Sequence, residues 1–89
     1  MEKFLFQEGL GLLAGLLSTL AFLPQVILVW RTRSTEDVSL SSFLMLGVAC
    51  LLWTAYGAML GSLAIIATNI AVFSLVLAIV VAKFRFSRR

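Results

Sequence analysis

Three long apolar runs, separated by two polar breaks of very unequal length, make up almost the whole chain. The first runs from Gly9 to Trp30 without a charged residue, the second from about Leu40 to Leu60, and the third from about Ser62 to Ala82. At a rise of 1.5 Å per residue, runs of about 20 residues suffice to cross the ~30 Å hydrocarbon core of a bilayer. The pattern predicts an all-α membrane protein, a single three-helix transmembrane domain spanning residues 1–89. The first break, residues 31–39, is polar throughout, and Asp37 or Ser39 is placed to cap the second helix. The second break is little more than Gly61-Ser62. So short a turn makes helices 2 and 3 antiparallel neighbours.

Within the first run stands Pro24, followed by Gln25. Proline removes a backbone donor and crowds the carbonyl four residues back, that of Leu20. In hydrocarbon a freed carbonyl needs another partner, so this site predicts a bend with neighbours around it. Gly11, Gly15 and Thr19 form a small-residue stripe on helix 1, and Ala67 and Ala71 do so on helix 3. Such stripes mark close helix contact and nothing more specific.

Composition agrees with the pattern. The chain of 89 residues is 62% hydrophobic and only 12% charged, with a mean hydropathy of +1.11. The apolar run after Met1-Glu2-Lys3 is long for a signal peptide and carries no small-x-small cleavage site, which predicts a retained helix. The single Cys50 excludes an intrachain disulfide, and with no histidine in the sequence neither a metal site nor a cofactor is expected. The net charge of +3 sits at the ends of the spans and not along one face, so no nucleic-acid partner is expected. Arg31, Arg33, Lys83, Arg85, Arg88 and Arg89 fall on one side of a three-span protein, and Lys3 on the other with Glu2 and Glu8. The positive-inside rule then places the C-terminus in the cytoplasm and the N-terminus outside.

No Asp, Glu, Lys, Arg or His occurs inside any span. That argues against an enzyme, which needs an acid, base or activated nucleophile, and against proton coupling through a buried carboxylate. The polar residues left within the spans include Ser18, Thr19, Gln25, Trp53, Thr54, Tyr56, Thr68, Asn69 and Ser74. Counting from the span midpoints, Trp53 and Asn69 lie at equal depth, ~4.5 Å to the outer side of the bilayer centre, and Thr19 falls near the midpoint of helix 1. Each has an ordinary structural reading. Asn69 can serve as interhelical glue, and a tryptophan normally belongs in the interfacial belt, as Trp30 does. At matched depth they instead suggest one ligand pocket. Tryptophan and an amide together suit a sugar, whose C–H face packs on the ring while its hydroxyls take donors and acceptors. Tyr56, one turn outward from Trp53, is a candidate for the outer mouth or an interfacial tyrosine. Phe43 and Met45, near the start of helix 2, are candidates for an inner gate or simply for packing and lipid contact. Three helices alone leave no room for a path between them, so a homodimer is the natural unit.

The Pro24-Gln25 pair, the loop with Arg33-Ser34-Thr35 and Ser39, the Trp53-x-x-Tyr56-Gly57 sequence and Asn69 resemble the PQ-loop superfamily. More narrowly, the chain is similar to the bacterial SemiSWEET sugar transporters, from about Leu12 to Lys83. The resemblance implies a SWEET-like bundle with helix 3 between helices 1 and 2, and a parallel homodimer, an arrangement for which SWEETs are a standard example. It also implies facilitative, uniport transport of mono- or disaccharides by alternating access. By resemblance Trp53, Asn69, Ser18 and Thr19 line the sugar site, Pro24 and Gln25 form a hinge, and Tyr56 gates the outer mouth. Some relatives follow the gate tyrosine with an Arg-x-Asp pair; the corresponding stretch here is Leu60-Gly61-Ser62, so outward closure is left to packing or to Tyr56. The competing expectations are a PQ-loop carrier of another small polar solute and a small holin-like pore former.

Overall fold

The computed structural model describes residues 1–36 and 38–86. Asp37, weighed above as a cap, and Arg88 and Arg89 of the basic end lie outside the described residues. Three helices follow in order: α1 (Glu2–Thr32), α2 (Leu40–Leu60) and α3 (Leu63–Phe86). All three are long and apolar enough to cross a membrane. α1 starts well before Gly9, because its backbone stays hydrogen-bonded past the charged Glu2, Lys3 and Glu8, and α3 continues past Ala82 to Phe86. A hydropathy boundary marks where hydrocarbon ends; a helix need not end there.

The breaks are built by local chemistry. α1 ends at Arg33, which adopts the left-handed conformation at φ 55°. Ser39 caps α2, its hydroxyl oxygen accepting the Ser42 N–H. At the other break Gly61, with φ 69°, ends α2: its N–H goes to the Ala58 carbonyl at 3.2 Å, and the Ser62 N–H to the Gly57 carbonyl at 2.8 Å. This double bond pattern is a Schellman closure, which favours glycine at the left-handed position. Ser62 then caps α3 by accepting the Ile65 N–H at 3.3 Å. One residue stops a helix and the next starts another.

α3 is the central element. It packs against both α1 and α2, whereas no Cα pair between α1 and α2 comes within 8 Å. Those two meet through side chains, as where Phe22 and Phe43 stand edge to face at 6.1 Å. The buried core follows α3: Val76, Ile79 and Ala82 are its most enclosed residues. Most large apolar side chains face outward, as expected in lipid, where association depends on tight packing and not on hydrophobic burial. Gly11 and Gly15 bring the α1 backbone against Ala64 and Thr68, and Gly57 brings α2 against Ile65. The small stripe of α3 that meets α1 is therefore Ala64 and Thr68; of the expected Ala67 and Ala71, the first is exposed and the second half-buried.

Both ends of α1 are tied to α3. At the basic end the Trp30 indole N–H donates to the Ala78 carbonyl at 3.2 Å, and its ring packs on Phe86 beneath the Arg85 guanidinium. There too Lys83 Nζ donates to the Thr35 carbonyl at 2.9 Å. At the opposite end Glu8 accepts the Ser62 hydroxyl at 2.6 Å and the Ala64 N–H at 2.8 Å. A carboxylate at a helix N-terminus also meets the positive end of the helix dipole. Within the protomer this is a polar tie between α1 and the α2–α3 turn. Glu8 precedes the uncharged run, so it lies outside the hydrocarbon segment. The Ser62 hydroxyl, and after it the Ala64 N–H, hold its carboxyl below the usual carboxylate range. A depressed folded pKa means the tie contributes fully above the unfolded value of about 4.3 and is lost as pH falls through the folded value. Thermal stability is expected to drop with acidification below about pH 4.3, and Glu8→Gln should start lower and lack that segment of the curve. An identical acid profile for the two proteins would show that the tie adds nothing.

Candidate functional site

Where α1, α2 and α3 approach at mid-depth they line an open cavity of about 200 Å³. Its polar lining comes from Ser18 of α1, Trp53 of α2 and Thr68 and Asn69 of α3, with Gly15 at the closest approach of α1. A wider hollow of about 460 Å³ shares Gly11, Ala64 and Ile65 with it and reaches Glu8 and Ser62 at the end away from the basic residues. The two hollows thus adjoin, and no acidic or basic residue lines the smaller one.

Hydrogen bonding separates these residues from the other polar groups of the spans. A hydroxyl in a helix ordinarily satisfies itself on the carbonyl four residues back. Thr19 does so on Gly15 at 2.8 Å, Thr54 on Cys50 at 2.7 Å and Ser74 on Ile70 at 2.9 Å. Ser18 and Thr68 make no such bond, nor any other hydrogen bond among the described residues. Trp53 differs from Trp30 in the same way, since its indole N–H has no partner among the described residues. Asn69 uses one amide N–H on the Ile65 carbonyl at 2.8 Å, which leaves the amide oxygen and the second N–H unspent. Unused donors and acceptors from three helices thus converge on one uncharged cavity. None of these groups is sealed off in the protomer, so their spare donors and acceptors are open to a polar, uncharged occupant or to water.

The residues singled out in the sequence fall as follows. Trp53, Asn69 and Ser18 share the cavity. Thr19 does not line it and is turned onto its own helix, because adjacent helical residues point about 100° apart. Tyr56 does not line it either; its ring stands edge to face on Trp53 at 5.7 Å and braces the indole one turn further along α2. Phe43 points inward, against Phe22, and borders a hollow of about 490 Å³ at the basic end together with Gln25 and Thr32. Met45, 73% exposed, lies on the outer surface of the protomer away from that hollow. Phe43 and Met45 are about 200° apart around α2, so one protomer cannot offer both to the same opening. α1 runs unbroken through Pro24, whose ring faces a shallow apolar hollow with Leu20, Leu23 and Ile27. Gln25 is exposed.

Thr68 and Gly15 were not among the expected site residues. Thr68 stood in the list of intramembrane polar groups directly before Asn69, but depth alone did not separate it from Thr54 or Ser74. Gly15 was legible only as a packing glycine.

The family model for the PQ loop repeat matches residues 6–66. A "Sugar transporter SemiSWEET" of Bradyrhizobium diazoefficiens is 37% identical over 86 residues, covering 97% of this chain and 99% of the relative. Among solved structures, a bacterial homologue of SWEET transporters superimposes with a TM-score of 0.87 at 30% identity, covering 91% of this chain and 98% of that one. A SemiSWEET in the inward-open conformation gives a TM-score of 0.83 at 33% identity, over 99% of this chain and 91% of the other.

Proposed function

The chain belongs to the PQ-loop family, among the SemiSWEET transporters, and from that premise we propose that it carries mono- or disaccharides across the membrane by facilitated, uniport alternating access. Membership makes it a transport protein and not an enzyme. The observation that carries the sugar reading is the cavity itself. One aromatic face, two unspent hydroxyls and a half-spent amide surround an uncharged space at mid-depth. A pyranose offers the complementary surfaces, an apolar C–H face and a rim of hydroxyls that donate and accept.

The working unit is a parallel homodimer with the site on its axis. Trp53 is 53% exposed in the protomer, and the cavity walls it on one side only. A second copy related by an axis along the membrane normal supplies the facing wall. Pro24 and Gln25 serve as the hinge, since a proline within a continuous helix removes one rung of its ladder. Tyr56 acts at the outer gate through its contact with Trp53, and Phe43 at the inner gate beside Phe22. The N-terminus faces outward and the basic end lies in the cytoplasm of a bacterial inner membrane.

The test is uptake of radiolabelled glucose and sucrose into proteoliposomes with and without an imposed pH gradient. Saturable uptake that ignores the gradient is expected. Uptake driven by the gradient would overturn the uniport reading, and folded protein that carries neither sugar would move the substrate to another small polar solute.

A further inference from the structure

Thr68 departs from the ordinary behaviour of a threonine in a membrane helix. Its default partner is the Ala64 carbonyl, one turn back, and it leaves that bond unmade. The side chain lies instead against Gly15. A Cβ added at Gly15 would overlap the Thr68 hydroxyl and stand 2.8 Å from its Cβ and 2.9 Å from its Cγ2. The missing side chain at position 15 is therefore what gives Thr68 its place at the α1–α3 seam, on the wall of the cavity that holds Trp53 and Asn69.

We propose that Thr68 is a specificity-determining contact of the transport site, its hydroxyl hydrogen-bonding one hydroxyl of the sugar held between Trp53 and Asn69. This rests on the reading of the chain as a sugar carrier. Thr68 and Asn69 are consecutive on α3 and both line the cavity, Thr68 from the side of Gly15. Ser18 faces the same space from α1. Position 68 thus selects among sugars that differ at one hydroxyl, while Trp53 binds the ring face they share. A site built to bond a hydroxyl discriminates against the analogue that lacks it, because the site's own polar group is then stranded. The rival account gives Thr68 packing work alone, through close approach and a weak Cα–H···O contact with Gly15.

The two accounts separate in Thr68→Val, which keeps the shape and removes the hydroxyl, with Thr68→Ser as the conservative partner. The assay is competition of labelled glucose or sucrose uptake, whichever the wild type carries, by the parent sugar and its monodeoxy series, alongside thermal stability of the reconstituted protein. Thr68→Val is expected to raise KM roughly five- to tenfold, the loss of one neutral hydrogen bond, with melting little changed. One deoxy analogue that competes poorly against the wild type should compete against Thr68→Val as well as the parent does. Thr68→Ser should restore both values. An unchanged KM and an unchanged deoxy profile in Thr68→Val would overturn the proposal, whatever happens to melting. A folded wild type that carries no sugar would overturn the underlying reading and this inference with it, and that outcome is distinct because the wild type itself is silent.

Discussion

Replacing Trp53 with alanine is expected to abolish saturable sugar uptake while leaving a folded three-helix protein. The indole is half exposed and belongs to neither buried cluster of the core, so its removal opens no interior cavity between helices. What is lost inside the protomer is the edge-to-face contact with Tyr56, an interaction of about 0.5–1.5 kcal/mol. For a bound sugar the loss is larger. The indole is the one aromatic group among the residues lining the cavity, and without it the sugar ring must be held mainly by polar groups that water also offers. Burial against an aromatic face of even ~100 Å² is worth about 2.5 kcal/mol, close to a hundredfold in affinity. In a symmetric dimer each subunit contributes a copy, so the effect on the transported complex is compounded. Trp53→Phe should keep part of the activity, because it retains a ring face and loses only area and the unspent N–H. Tyr56→Ala serves as the comparison: it removes the brace but not the surface, and a smaller, KM-weighted loss is expected. Uptake by Trp53→Ala with KM and maximal rate near wild type, in protein shown to be folded, would remove Trp53 from the site.

Height and direction were unequally legible in this sequence. Hydropathy located the spans, and counting along them put Trp53 and Asn69 at one depth, where the structure has them sharing a cavity. Azimuth is a different matter. Ser18 and Thr19 differ by one residue in depth yet point about 100° apart, and only the docking of α1 on α3 decides which of them faces inward. Phe43 and Met45 divide for the same reason. The docking is in turn fixed by Gly11 and Gly15 meeting Ala64 and Thr68, a pairing between distant segments that no local pattern specifies. Glu8 was invisible for a further reason. Read along the chain it is one charge outside the membrane, while in the fold it reaches across to Ser62, 54 residues away. Local signals did better: Ser39 caps α2 as its position suggested, and Gly61-Ser62 makes the tight turn.

The second large effect belongs to the helix seam. Gly15→Ala is expected to destabilise the protein by about 1–3 kcal/mol and to abolish transport, although alanine is the better helix former. The added Cβ falls inside the van der Waals space of Thr68, and the atoms it meets are the root of a β-branched side chain, not the flexible end of a long one. Relief then requires α1 to move off α3. Val26, Val29 and Trp30 still hold the far half of α1 on α3, but around Gly15 its backbone nowhere comes close to α2 and the remaining polar tie is Glu8. In lipid no hydrophobic driving force compensates for lost packing. Gly9→Ala is the internal control, because a Cβ there meets nothing within 4 Å, and it should be neutral or slightly stabilising. The decisive variant is the double substitution. Thr68→Ala vacates the space that Gly15→Ala fills, so Gly15→Ala/Thr68→Ala should recover most of the lost stability, a coupling of the size seen for residues in direct contact. Its transport should return only in part, with the raised KM and flattened deoxy-sugar profile of Thr68→Val, because the seam would be whole but the hydroxyl gone. Equal melting of Gly15→Ala and Gly9→Ala would show that the seam yields without cost. Full recovery of both stability and sugar discrimination in the double variant would leave packing as the whole role of the Gly15–Thr68 pair.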